Sequence, residues 1–160
     1  MKQIPSDKYT IAWFKLAECI SRGEKERALG VYRLLSHSIE DAALVCQLEG
    51  DIFFSFNDNK EAIIHYYQAA QLYKKDNRLL ESAAVYEHLL AIQPDNKRYR
   101  TIVINLYNEL AIQSKIKEHV CLLVDQLRDG DGDYLENMMK KIDPSIRDIV
   151  AKIYHDKNKR

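Results

Sequence analysis

Leu48-Glu49-Gly50-Asp51-Ile52-Phe53, followed by Asn57 and then by Ala62, Tyr66 and Ala69, is the stretch on which the fold turns. Moved back by 34 residues, its second half reappears: Gly23 stands for Asn57, Ala28 for Ala62, Tyr32 for Tyr66 and Leu35 for Ala69. A turn former followed by small, aromatic and apolar residues at steps of four and three is one face of a helix entered from a turn. Working outward, residues 9–42, 43–76 and 77–110 make three successive windows of that length. The third window departs. Its second helix keeps the spacing as Val103, Tyr107 and Leu110, but about two turns late, after the break at Pro94-Asp95-Asn96. A second frame, beginning at Ile63, places Tyr66, Ala70, Tyr73, Tyr86, Leu89 and Pro94 instead, and the two frames leave open which helices line an inner face.

Beyond the windows the same period continues. Ile116, Val120, Leu123 and Leu127 form one stripe, Leu135, Met138, Met139 and Ile142 another, and Ile146, Ile149, Val150 and Ile153 a last one. No alternating, strand-like pattern competes over comparable length. With five glycines and three prolines against abundant Ala, Leu, Glu and Lys, the chain has few breakers, which predicts about nine helices joined by short turns. Asp58 with Glu61, Asp133 with Glu136 and, more weakly, Ser38 with Asp41 have capping-box spacing. Asp143-Pro144 suits the start of a final helix, and Arg22-Gly23 the end of the first. Gly30, inside a helical stripe, suggests the close approach of a neighbour.

The totals exclude several classes. Lys plus Arg and Asp plus Glu are 24 each, so the basic excess of a nucleic-acid binder is missing and no nucleic-acid partner is expected. The N-terminal eight residues have no apolar core of a secretory signal, and no run reaches the roughly 18 apolar residues of a membrane span. Cys19, Cys46 and Cys121 are odd in number and lie within apolar stripes, as small buried hydrophobes do in a reducing compartment; cytoplasm is the expectation.

With the residues quoted, the chain resembles the tetratricopeptide repeat family, whose period is 34 residues. Gly50 with Ala62 twelve residues on matches the family's most recognisable core, although Leu16 holds the place of Gly50 in the first window. The resemblance implies an all-α, right-handed superhelical solenoid of antiparallel helix hairpins. In such repeats the small residue lets two helices approach, and the aromatic and apolar residues fill the groove between neighbours. The implied organisation is a lead-in over 1–8, repeats over 9–110, and a further hairpin with a capping helix over 111–157. A frayed basic tail follows over 158–160. One hairpin cannot bury its apolar faces alone, so stacking is obligatory.

The resemblance implies a protein-binding scaffold, adaptor or small chaperone with another protein or peptide as partner, a second copy of the chain included. In the first frame the inward positions are Trp13, Ala17, Gln47, Asp51, Phe54, Arg78, Glu81 and His88. Trp13 reads equally as packing within the first hairpin. The clamp by which some family members grip a terminal carboxylate would fall on Trp13, Ala17, Leu48, Arg78 and Ser82, of which Arg78 alone has suitable chemistry. For catalysis the sequence offers no Gly-rich phosphate loop, nucleophile elbow or paired-histidine zinc helix, so no enzyme activity, cofactor or metal is expected. The nearest to an ion site is Asp125 to Glu136, a partial calcium loop with Asp125, Asp129, Asp133 and Glu136 at ligand places. Leu127 and Gly132 break the pattern. An ordinary interhelical turn has the same composition. A permanently bound structural subunit, recognisable by a large exposed apolar patch, is the alternative from another class.

Overall fold

The computed structural model describes residues 6–127 and 132–158. Among the described residues there are nine α-helices and no strand, as the periodicity predicts: α1 Ser6–Ser21, α2 Lys25–Ser36, α3 Ala42–Ser55, α4 Asn59–Lys75, α5 Leu79–Ile92, α6 Lys97–Glu109, α7 Gln113–Asp125, α8 Gly132–Lys141 and α9 Pro144–Asn158. The fold is an all-α solenoid type, built from hairpins. The chain forms two compact units, Met1–Leu72 and Tyr73–Arg160, whose boundary falls within α4.

In the first unit both hairpins close in the same way. Gly23 adopts φ +72°, its N–H bonds the Ile20 carbonyl at 3.0 Å, and Glu24 N–H bonds that of Cys19 at 2.9 Å. Asn57 repeats this at φ 58°, with N–H bonds from Asn57 to Phe54 and from Asp58 to Phe53, both 2.9 Å. The left-handed residue satisfies the last carbonyls of one helix and aims the chain into the next. Asp58 then caps α4, its Oδ1 accepting Glu61 N–H at 3.3 Å while Lys25 Nζ donates to Oδ2 at 2.6 Å. These donors, Lys25 foremost, hold the Asp58 carboxyl below the usual carboxylate range. The reciprocal half of the expected capping box is not made, because Asp58 N–H is already spent on Phe53.

Leu16, Cys19, Ala28, Tyr32, Leu35 and Ile52 form the first unit's core. The Tyr32 hydroxyl, inside that core, donates to the Val45 carbonyl at 2.5 Å, so burial of its oxygen leaves no unmet group. Gly50 lies against the ring of Tyr66; a Cβ placed there would meet Cδ1 at 2.7 Å and Cε1 at 2.9 Å. Gly30 differs from expectation. It is exposed and a Cβ there would have nothing within 4 Å, so no neighbour requires it. Gly30→Ala is therefore expected to stabilise by up to about 1 kcal/mol through helix propensity alone, read as a raised midpoint in thermal unfolding followed by circular dichroism.

The second unit uses the same turn twice more. Asn77 and Ala111 both have φ 57°, and the bonds Asn77 to Lys74, Arg78 to Tyr73, Ala111 to Asn108 and Ile112 to Tyr107 close them. Left-handed turns thus lie 34 residues apart in each unit, Gly23 to Asn57 and Asn77 to Ala111. The interval between Asn57 and Asn77 is one helix instead of a helix pair, so in the second unit the turns follow the frame that begins at Ile63. Between α5 and α6 the chain passes Pro94 and enters α6 with Asn96 accepting Tyr99 N–H at 3.1 Å. Tyr86, Leu89, Val103, Leu106, Ile116 and Val120 fill this unit's interior, and Ile146 and Val150 bury one face of α9.

Two caps fall elsewhere than the spacing suggests. Asp41, not Ser38, caps α3 by accepting Leu44 N–H at 3.1 Å, and α8 already begins at Gly132, which puts Asp133 inside the first turn. The final helix starts at Pro144, as expected, with Asp143 accepting Ser145 N–H at 2.9 Å. Cys19 is buried, Cys46 and Cys121 are half-buried, and all three are free thiols. Among the described residues, no helix is long and apolar enough to cross a membrane.

Candidate functional site

The first unit carries an apolar cleft of about 260 Å³ between α1 and α3. Trp13, Ala17 and Ile20 bound it on α1, while Leu48, Asp51 and Ser55 bound it on α3, with Leu16, Tyr32 and Ile52 at its base. Helical spacing explains the alignment: 13, 16, 17 and 20 share one face of α1, and 48, 51, 52 and 55 one face of α3. The Trp13 indole is 38% exposed, packed at the edge of the cleft yet open to solvent. Phe54, three residues beyond Asp51, is 45% exposed, and Gln47 is half-buried one turn before Asp51.

Asp51 has a structural engagement as well. It accepts the Tyr66 hydroxyl at 2.7 Å, and burial together with that bond pushes the Tyr66 phenol well above its ordinary pKa. A partner reaching the cleft therefore meets a carboxylate already oriented by the core. Ile52 and Ser55 were not singled out from sequence as inner positions, and Leu48 was named only as a place of the carboxylate clamp. Their i, i+4 and i+7 relation to one another was the available signal.

Arg78, Glu81 and His88 lie in the second unit. Arg78 precedes α5, its Nε 3.0 Å from Glu81 Oε1 and its guanidinium 4.4 Å from the centre of the Tyr73 ring. It is thus held by its own turn and a neighbouring aromatic face. His88 is exposed on α5. The eight inward positions are therefore distributed, with Trp13, Ala17, Gln47, Asp51 and Phe54 in one unit and Arg78, Glu81 and His88 in the other.

The densest polar cluster of the second unit was invisible to motif reading. His119 Nε2 is 3.0 Å from Glu87 Oε1, Tyr107 OH donates to the same oxygen at 2.9 Å, and Lys115 Nζ approaches it at 3.7 Å. On the other side of the ring, Arg100 Nη1 is 3.3 Å from His119 Nδ1, and Arg100 Nη2 donates to the Pro94 carbonyl at 2.7 Å. Arginine can only donate, so His119 Nδ1 accepts and its proton sits on Nε2, facing Glu87. Burial would raise the Glu87 carboxyl, but the bonds from His119 and Tyr107 outweigh it and hold the group below the usual range. His119 and Arg100 are 2% and 5% exposed and the cluster joins α5, α6 and α7, while the Glu87 and Lys115 side chains at its edge are 33% and 40% exposed.

The calcium-loop reading falls partly outside the described residues, which omit 128–131. Of its described members, Asp125 forms an ion pair with Lys157. Among the described residues no three His, Cys, Asp or Glu side chains gather to hold a metal.

No family model and no curated protein matches the chain. Among solved structures it is similar to MamA from residue 41 to its end from Desulfovibrio magneticus RS-1, with 15% identity and TM-score 0.40. That match covers 96% of this chain and 94% of the other. It is also similar to a MamA RS-1 double mutant, with 17% identity and TM-score 0.41, covering 96% and 92%. Neither likeness bears on function at these values.

Proposed function

From a half-open tryptophan over an apolar cleft, we propose that this chain is a non-catalytic protein-interaction scaffold, adaptor or small chaperone. It takes an apolar side chain of a peptide segment or partner surface between α1 and α3. Trp13 carries the reading: a large, stiff amphipathic ring, 38% exposed, stands over a nearly wholly apolar floor with Asp51 and Ser55 as polar rim. Buried apolar pockets with an aromatic anchor and a polar edge are where binding energy concentrates. Because both walls are packed helices fixed before the partner arrives, little entropy is lost in shaping the site. Three free thiols support a reducing, cytoplasmic setting.

Trp13 is the single tryptophan, so its fluorescence reports on the cleft without labels. A panel of extended peptides with one central Leu, Phe or Trp is titrated while emission is followed. The expected result is a blue shift with peptides that bind. Trp13→Ala is expected to lower the affinity of those peptides, labelled and read by anisotropy, about tenfold or more, with helicity nearly intact. Loss of cooperative unfolding in that variant would instead assign Trp13 to the core.

A second reading rests on a separate observation. Ile11, Phe14 and Leu34 on the first hairpin are 65%, 73% and 75% exposed, where an end of a helical stack should be polar. That pattern suits a subunit held permanently by a partner or by a second copy. Sedimentation of the isolated chain over a range of concentrations separates the two: a stable monomer at all of them removes the self-association form.

A further inference from the structure

Among the described residues that line the cleft between α1 and α3, Asp51 is the one charged group. Its Oδ1 accepts the Tyr66 hydroxyl at 2.7 Å, a bond that orients the carboxylate without supplying a counter-charge. Among the described residues no Lys, Arg or His pairs with Asp51, and Tyr66 is its one side-chain partner. Asp51 is half-buried, so a charge there is screened less than one in open solvent. The neighbouring hydroxyls do not answer it. Ser55 Oγ donates its only proton to the Ile52 carbonyl at 2.7 Å, and Tyr32 donates its own to the Val45 carbonyl at 2.5 Å. With the Tyr66 proton committed to Asp51, the three hydroxyls in and beneath the cleft are left as acceptors. The one side-chain donor remaining among the described lining residues is the Trp13 indole N–H. The polar edge of the cleft is thus anionic and rich in acceptors.

From this bias we infer that the cleft selects a partner segment with a Lys or Arg beside its apolar anchor, and that Asp51 sets the preference. The inference rests on the reading of the cleft as the interaction site and names the chemistry of its occupant. A volume of about 260 Å³ suits a side chain and not a folded element, so the anchor fills the floor and the neighbouring cation stays at the edge. There the cation brings the donors that the edge lacks, and Asp51 Oδ2 is left to receive them. The face of the Trp13 ring, on the opposite wall, also attracts cations. A Glu or Asp in the same place would meet like charge and acceptors, and would be rejected. Asp51→Asn separates the two roles of the residue: its amide oxygen still accepts from Tyr66, and only the charge is lost.

The test uses the full chain and three decapeptides that share one central Leu in a Ser and Ala background, flanked on both sides by Lys, by Gln or by Glu. Fluorescein-labelled peptides are titrated by anisotropy at low salt, and the unlabelled ones by Trp13 emission, which places binding at the cleft. The Lys peptide should bind at least about fivefold more tightly than the Gln peptide, and the Glu peptide more weakly than either, with the spread narrowing as salt rises. In Asp51→Asn the advantage of Lys over Gln should fall below about twofold, while affinity for the Gln peptide changes less than about twofold. Glu26→Gln removes one exposed negative charge of the same unit and should leave the advantage intact. Circular dichroism verifies folding of both variants, and the wild-type ranking decides the preference should Asp51→Asn misfold. Equal binding of the three peptides overturns the inference and leaves the apolar cleft as the interaction site. A Lys advantage that survives in Asp51→Asn, or falls equally in Glu26→Gln, overturns the assignment to Asp51. Binding of none of the three overturns the interaction-site reading and the inference with it.

Discussion

Replacing Gly50 by alanine should lower the unfolding midpoint by about 4–8 °C, because overpacking of some 1–3 kcal/mol exceeds the helix propensity gained. The added methyl would arrive 2.7 Å from Tyr66 Cδ1 and 3.1 Å from Cγ, atoms at the root of the ring instead of a flexible tip. Tyr66 cannot swing away cheaply. It is 1% exposed and its hydroxyl is held at 2.7 Å by Asp51. Combining Gly50→Ala with Tyr66→Leu should recover part of the loss relative to the sum of the single changes, a coupling that thermal unfolding of all four proteins measures. The contrast with Gly30 is the sharper check. The same substitution in another helix of the same unit has the opposite sign, so equal effects at 50 and 30 would sink the close-contact account.

Arg100→Ala is the second change expected to cost heavily, about 3 kcal/mol in chemical denaturation. It removes the Nη1 donor to His119 Nδ1 and a donor to the Pro94 carbonyl, which Gln126 Nε2 also reaches at 2.7 Å. It also leaves a void inside a buried site. A loss under about 1 kcal/mol would mean that water replaces the guanidinium at no penalty. The same cluster fixes a pH dependence. Glu87 has its folded pKa depressed, so its contribution is fully present above the unfolded glutamate value of about 4.3 and is lost as pH falls through the lower folded value. Glu87→Gln should therefore flatten the acid limb of stability against pH; an unchanged limb would place the acid sensitivity elsewhere.

Much of the architecture was legible because it rests on local chemistry. Gly23 and Asn57 announce left-handed turns, Asp58 a cap and Pro144 a first turn, and each occupies that place. Ala111 gave no such notice. Alanine has no preference for φ 57°, and the frame of the second unit is set there by tertiary packing against local cost. The repeat frame named Trp13, Ala17 and Asp51 as inward positions, and the three line one cleft. It could not foresee that Arg78 would be held by Glu81 and Tyr73, or that the chosen positions would divide between two units. Arg100 escaped notice because a charged residue on an apolar stripe, one turn before Val103 and two before Tyr107, looks like an interruption until its partners appear.

The free thiols give the molecule a built-in clock. Cys46 on α3 and Cys121 on α7 are half-buried, one in each compact unit. Burial and the nearby Glu49 also push the Cys46 thiol above its ordinary pKa, so less of it is thiolate and its alkylation in the native state is slow. Site-resolved alkylation rates at 46 and 121 thus follow the two halves separately and without any substitution, rising wherever a half loosens.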